Sequence, residues 1–380
     1  MNLKGILLLI FLFHTVVNAT RPVITLSADE YGASIFVIGI LTSSFAFLPL
    51  IFSIHAGKII DKIGDRIPII VGFVSLVAGM IVPAMSSTIW ALFVSQLLLG
   101  IGNISIPIAL QNQLGNQTTK RNRDYYFSMF SLCVALGAVI GPLFGGYLSE
   151  HISFQMVYIF SMIIGFIAII FSLKIPKLEK LITREPTKMI ESIKLLENPL
   201  IRRALFSSAL VLYSKDIFVA YFPLLGKQMN LSTSTIGWII ALQGLATMFV
   251  RFVLPKLLEV YKRDYILFIS ILVAGISFLL LPLSNSVIII AMLAIIMGLG
   301  LGCGQPISMT TTYNASPPDR TGEVLGLRIT INRLFQLVAP TFFGVIGGSI
   351  GMIGVFLFSG VFLVGGSLFF REAKQNSDTE

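Results

Sequence analysis

Residues 57–66 read Gly57-Lys58-Ile59-Ile60-Asp61-Lys62-Ile63-Gly64-Asp65-Arg66. Five of these ten residues are charged, yet the runs on either side, 32–55 and 67–86, contain no Asp, Glu, Lys or Arg. Roughly 20 apolar residues suffice to cross a hydrocarbon core of about 30 Å as a helix. The stretch therefore reads as a charged turn at a membrane surface, joining two spans that enter and leave the bilayer.

The rest of the chain repeats this pattern. Hydrophobic residues make up 55% and charged residues 12% of the 380, where a soluble domain carries roughly a quarter charged; the mean hydropathy is +0.90. Apolar runs between charged or Pro/Gly/Asn punctuation give twelve expected spans, at 5–28, 32–55, 67–86, 88–113, 125–149, 154–173, 203–226, 234–257, 265–283, 286–313, 323–347 and 351–370. Backbone polar groups must be paired inside lipid and no alternating barrel pattern is present, so the expected class is all-α integral membrane. The first run could pass for a signal peptide, with Lys4, the apolar 6–13 and Ala19. It is kept as a span because the remaining runs pair off evenly only with it.

One long polar connection, 174–202, divides the chain. The expected organisation is a six-helix bundle over 1–173, a cytoplasmic linker over 174–202, a second six-helix bundle over 203–371 and a tail over 372–380. A constant offset of 198 residues superposes the halves without gaps from 39 to 146. It lays Gly39 on Gly237, Lys58 on Lys256, Asp61 on Glu259, Gly100 on Gly298, Asn116 on Asn314, Pro142 on Pro340 and Gly146 on Gly344. Such parallel repeats about an axis normal to the membrane are a transporter architecture, so a pseudo-two-fold axis is expected between the bundles.

Charge sets the orientation. With the N-terminus in the cytoplasm, 21 of the 27 Lys and Arg residues fall in or beside cytoplasmic segments, and Lys227 lies clearly outside. Both termini are expected in the cytoplasm of a plasma-membrane protein. The same distribution accounts for the net charge of +9 without nucleic acid. No Gly-x-x-x-x-Gly-Lys-Ser/Thr loop is present, so no ATP is expected as the energy source. His14, His55 and His151 share no metal-ligand spacing, and Cys133 and Cys303 lie in apolar runs as small hydrophobes. Neither a cofactor nor a catalytic cluster is expected, and an enzyme is disfavoured.

The turn at 57–66 resembles the loop signature of the major facilitator superfamily, G-x-x-x-D-R/K-x-G-R/K-R/K, at Gly57, Asp61, Lys62, Gly64 and Arg66, with Asp65 at a usually basic position. In that family the loop latches the two halves together in one conformer, which the resemblance implies for these five residues. The fifth span carries Gly137, Gly141, Pro142, Gly145 and Gly146, similar to the motif that marks drug–proton antiporters of the superfamily. Small residues so spaced let helices approach closely. Two departures stand: Ser128 replaces an earlier glycine of that motif, and Gln96 occupies the arginine position four residues before Gly100. Gln96 carries no charge, which puts proton coupling by resemblance in doubt.

Polar residues at membrane depth are costly and default to functional hypotheses. His14, Asn18, Arg21 and Thr25 form one stripe in the first span; Gln243, Thr247 and Arg251 form another in the eighth. The seventh holds Tyr213, Lys215, Asp216 and Tyr221, and the eleventh Arg328, Asn332 and Gln336, with Arg333 on a neighbouring face. These residues are the expected substrate or ion pathway, with Arg251 and Arg328 the candidates for a purely structural role. Five basic residues against Asp216 as the one clear mid-span acid favour an anionic or zwitterionic solute; Asp216 beside Lys215 reads as a neutralised pair or as the proton site. The expectation is a secondary transporter of a small organic molecule in the lipid bilayer, with a proton as coupling ion and efflux as direction. An uptake symporter for an organic anion is the alternative within the class. A sensor or partner-binding protein on a transporter scaffold is the alternative outside it.

Overall fold

The computed structural model describes residues 3–119, 122–175, 194–316 and 321–371; the side chains of 53–62, 123–124, 313, 321–323, 325–326 and 371 lie outside the described set. The expected linker core and tail, 176–193 and 372–380, therefore lie outside it too. Among the described residues no strand occurs, and eleven helices are long and apolar enough to cross a membrane. They are α1 (Leu3–Glu30), α2 (Ile35–Ile63), α3 (Arg66–Met85), α4 (Ile89–Gln117), α5 (Arg123–His151), α6 (Phe154–Ser172), α7 (Pro199–Gln228), α8 (Thr233–Val260), α9 (Arg263–Leu280), α10 (Val287–Ala315) and α11 (Thr321–Arg371).

Eleven replaces the expected twelve because the last two spans are continuous as one 51-residue element. A straight helix of that length would reach about 77 Å, more than twice the hydrocarbon thickness. It does not stay straight. Gly351 sits at φ 79, ψ 178, a conformation open essentially to glycine alone. The ring of Tyr213 lies 6.0 Å from that of Phe343 and 5.5 Å from that of Phe362. Nineteen residues of straight helix would hold those two phenylalanines about 28 Å apart, so the chain doubles back at Gly351 and α11 consists of two arms.

The turn at 57–66 is also tighter than its charges suggest. α2 continues through Gly57, Asp61 and Lys62 to Ile63, where Gly64 at φ 80 breaks it and Asp65 precedes α3. Only a residue without Cβ adopts that φ readily, which is the physical reason for glycine here.

The chain forms two compact units, residues 1–185 with 232–241, and 186–231 with 242–380. In the first unit α1 packs along α5 on the glycine row. A methyl group added to Gly137 would come within 2.7 Å of the His14 Cβ, one on Gly141 within 2.7 Å of the Thr15 carbonyl oxygen, and one on Gly145 would overlap the Ala19 carbonyl. Gly146 faces the other way, toward the Thr233 carbonyl oxygen and Gly237, and the Thr233 hydroxyl donates to the Gly146 carbonyl at 3.2 Å. Nearby, the Ser234 amide donates to the Glu150 carboxylate at 2.7 Å. The Ser75 hydroxyl donates to the Leu98 carbonyl at 2.8 Å to tie α3 to α4, and Ser27 and Tyr158 share a buried hydrogen bond at 3.0 Å between α1 and α6.

The second unit is built on the same device. α10 crosses α8 where Gly298 meets the Gln243 carbonyl, and crosses α9 where Gly300 meets the Ser270 carbonyl at 2.5 Å from the position a Cβ would take. The first unit has Gly100 against the Phe45 carbonyl at 2.9 Å and Gly102 against the Gly72 carbonyl at 3.2 Å. All four pairs obey the offset of 198, so the sequence repeat is also a repeat of backbone crossings.

Candidate functional site

The second unit carries two polar clusters inside otherwise apolar helices. The first is built on Asp216, buried in the middle of α7 at 3% exposure. Gln336 on α11 donates from Nε2 to Asp216 Oδ2 at 2.7 Å, and its Oε1 accepts from Arg333 Nη1 at 2.6 Å. A single amide thus joins a carboxylate to a guanidinium, donating at one end and accepting at the other. Asn332, one turn before Gln336, is 8% exposed, and its Oδ1 has no hydrogen-bond partner.

The second cluster lies about two turns into α11. Arg328 donates from Nη2 to Gln305 Oε1 at 2.6 Å, and from Nε to the Ser308 Oγ and from Nη1 to the Met309 sulfur, each at 3.4 Å. Gln305 is fixed from behind, because its Nε2 donates to the Ser208 carbonyl of α7 at 2.9 Å. Every one of these partners is neutral.

The remaining expected residues fall into two groups. Tyr213 and Tyr221 are fully packed, and their hydroxyls are spent on the carbonyls of Ser359 and Pro340. Gln243 is 1% exposed at the α8–α10 crossing, where its Nε2 donates to Thr247 at 3.3 Å. Thr25 is buried and donates to the Pro22 carbonyl. Three residues of the α1 stripe are only half-buried: His14, Asn18, which donates to the His14 carbonyl at 2.7 Å, and Arg21, whose guanidinium lies 5.1 Å from the Phe45 ring centroid. Lys215 is half-buried next to Asp216, and Arg251 is exposed on α8. A fully apolar cavity of about 240 Å³ is lined by Tyr213, Leu334, Val338, Phe342, Phe343 and Phe362.

Of the turn motif, Gly57, Asp61 and Lys62 fall where side chains are outside the described residues, while Gly64 and Arg66 are described. Asp65 is 2% exposed and accepts from Asn112 Nδ2 of α4 at 3.1 Å. The acid at a usually basic position is thus folded inward against α4.

Gln305, Gln336 and Arg333 are the residues that a search for isolated charges undervalues. Gln336 and Arg333 were visible as polar residues of the eleventh span, but their link to Asp216 depends on how two helices face each other. α4 shows the same bias. Gln96 is 1% and Gln113 0% exposed, and both amide atoms of Gln113 lack hydrogen-bond partners, as do Asn103 Nδ2 and Gln117 Nε2.

Long apolar helices that enclose carboxylate, guanidinium and amide groups define a helical membrane protein with a polar interior, the form taken by solute transporters. The model of the Major Facilitator Superfamily matches residues 6–210 and 204–380. The chain belongs to the Major Facilitator Superfamily and is a membrane transporter of that superfamily. It is 25% identical over 370 residues to an MFS-type transporter of Methanocaldococcus jannaschii, covering 92% of each chain. It is 24% identical over 326 residues to the class H tetracycline resistance protein of Pasteurella multocida, covering 81% of this chain and 78% of that one. With the quinolone resistance protein NorA of Staphylococcus aureus it shares 21% over 345 residues, 88% of this chain and 87% of the other. Among solved structures, the nucleoside transporter NupG superposes with a TM-score of 0.82 at 15% identity or below in two crystal forms, one of them covering 98% of both chains at 14%. A POT family transporter in complex with 5-aminolevulinic acid also gives 0.82, at 15% identity, over all of this chain and 96% of that one. At these identities the structures bear on the fold alone.

Proposed function

We propose that this protein exports a small organic solute across the plasma membrane by alternating access, driven by a proton gradient, with both termini in the cytoplasm. The observation that carries the reading is Asp216. A carboxylate at 3% exposure in the middle of a span is costly to keep charged, and its contact with Gln336 gives the charge a readout. When Asp216 is ionised, its Oδ2 accepts from Gln336. On protonation the carboxyl gains a donor and is a poorer acceptor, which loosens the amide that also holds Arg333. Arg333 on α11 and the neighbouring Lys215 on α7 favour the ionised form by their charge, so a proton binds only when the local arrangement changes. Export is supported by the names of relatives, a tetracycline and a quinolone resistance protein. The turn motif supplies the latch between conformers, with Gly57, Asp61, Lys62, Gly64 and Arg66 as its residues.

The second reading, uptake of an organic anion with protons, is favoured by Arg328, whose partners are all neutral. Reconstitution separates the two. Proteoliposomes with an imposed pH gradient are offered a solute panel that includes a tetracycline and a quinolone. Export by antiport predicts accumulation in vesicles that are acidic inside, abolished by a protonophore; accumulation only in vesicles that are alkaline inside would establish symport instead.

A further inference from the structure

We infer that Arg328, held in place by Gln305 and Ser308, is a binding site for a carboxylate or a comparable single negative charge on the transported solute. The inference rests on the transporter reading above and adds the charge of the substrate. It starts from the hydrogen-bond inventory of the guanidinium. Five N–H donors are present, and three are engaged, by Ser308, Met309 and Gln305. Two N–H groups remain on the terminal nitrogens, in the plane suited to a bidentate contact with an anion.

The site is built to keep that group in position without neutralising it. Gln305 could face Arg328 with either end of its amide. Its Nε2 is bound to the Ser208 carbonyl at 2.9 Å, which leaves Oε1 toward Arg328, where the Ser208 hydroxyl also approaches at 3.4 Å. Ser308, fully buried, is in turn tied to the Ala204 carbonyl of α7. Three helices, α7, α10 and α11, thus fix one guanidinium through dipoles alone. One turn beyond Ser308, on the same face of α10, Thr312 is fully buried and its hydroxyl has no hydrogen-bond partner. It is a second donor awaiting an acceptor.

A side chain kept for structure would be served better by a carboxylate in place of Gln305, because a charge-assisted pair is stronger than a hydrogen bond to a neutral amide. The choice of glutamine keeps the positive charge available. Arg328 is also only half-buried, so its free N–H groups are within reach of a ligand.

The test uses the full chain purified in detergent and the probe benzoate, with benzylamine as the cation of similar shape and sodium chloride at equal ionic strength as the blank. Thermal unfolding is followed as a function of probe concentration. The wild type is expected to show a saturable stabilisation by benzoate and none by benzylamine. Arg328→Gln is expected to lose it. Because Arg328→Gln may simply misfold, Gln305→Glu decides the matter. It puts a carboxylate at the same 2.6 Å contact, so the protein should unfold no earlier than wild type, while benzoate binds at least tenfold more weakly. Absence of a benzoate response in the wild type, or an unchanged response in a folded Gln305→Glu, overturns the inference. Proton-driven transport is a separate measurement. Benzoate binding without gradient-driven transport would remove the proton coupling and leave this site standing, whereas gradient-driven export without benzoate binding would remove only the site.

Discussion

The α-carbon of Gly298 lies so close to the carbonyl oxygen of Gln243 that a methyl group added there would overlap it. Its counterpart 198 residues earlier, Gly100, lies in the same way against Phe45. Helix crossings at backbone distance exclude any Cβ, and overpacking of this kind costs about 1–3 kcal/mol.

Gly298→Ala should therefore lower the thermal midpoint of the purified protein. Gly365→Ala supplies the contrast, because nothing lies within 4 Å of the position its Cβ would take. In a helix interior that change should stabilise by up to about 1 kcal/mol. Equal midpoints for the two variants would show that the close crossing carries no packing cost.

The charge distribution predicts which loops face the cytoplasm. With Cys133 and Cys303 replaced by serine, Asn285→Cys, in the exposed turn between α9 and α10, should react with an impermeant thiol reagent in intact cells. Asn198→Cys, exposed at the start of α7, should react only after permeabilisation. Reaction of Asn198→Cys in intact cells reverses the orientation.

Neutralising the turn should alter transport more than folding. Asp61 is an acid within a basic stretch, with Glu259 at the equivalent place in the second half. Asp61→Asn is expected to shift the balance of conformers by about 1–3 kcal/mol and the transport rate by roughly 5–150-fold, at unchanged abundance in the membrane. Wild-type rates at equal expression would remove the latch role.

Much of the fold was legible because bilayer thickness and backbone hydrogen bonding leave so few solutions. Apolar run length located the spans, and the 198-residue offset located crossings at Gly100, Gly102, Gly298 and Gly300. What the sequence hid were continuities. α2 runs through charged residues to Ile63, because Lys and Asp at a helix end can leave the lipid while the helix goes on. The last two spans merge because only a single glycine, Gly351, separates them. The site was legible as a set of polar residues and illegible as a set of partners. Asp216 stands beside Lys215 in the chain, yet its carboxylate reaches Gln336, 120 positions away. Tyr213 and Tyr221 looked like pathway residues, and their hydroxyls are instead bound to backbone carbonyls in the packed interior. Glutamines carry no charge to draw attention, and they hold both clusters together.

The central claim is that Asp216 takes up the coupling proton, and one measurement tests it most directly. Wild-type protein and Asp216→Asn are reconstituted with a trapped pH indicator, and a transported solute is added to vesicles holding a pH gradient. The account predicts that the solute collapses the gradient through the wild type, while Asp216→Asn exchanges labelled for unlabelled solute at a comparable rate and moves no protons. Gradient collapse by Asp216→Asn at the wild-type rate would contradict it.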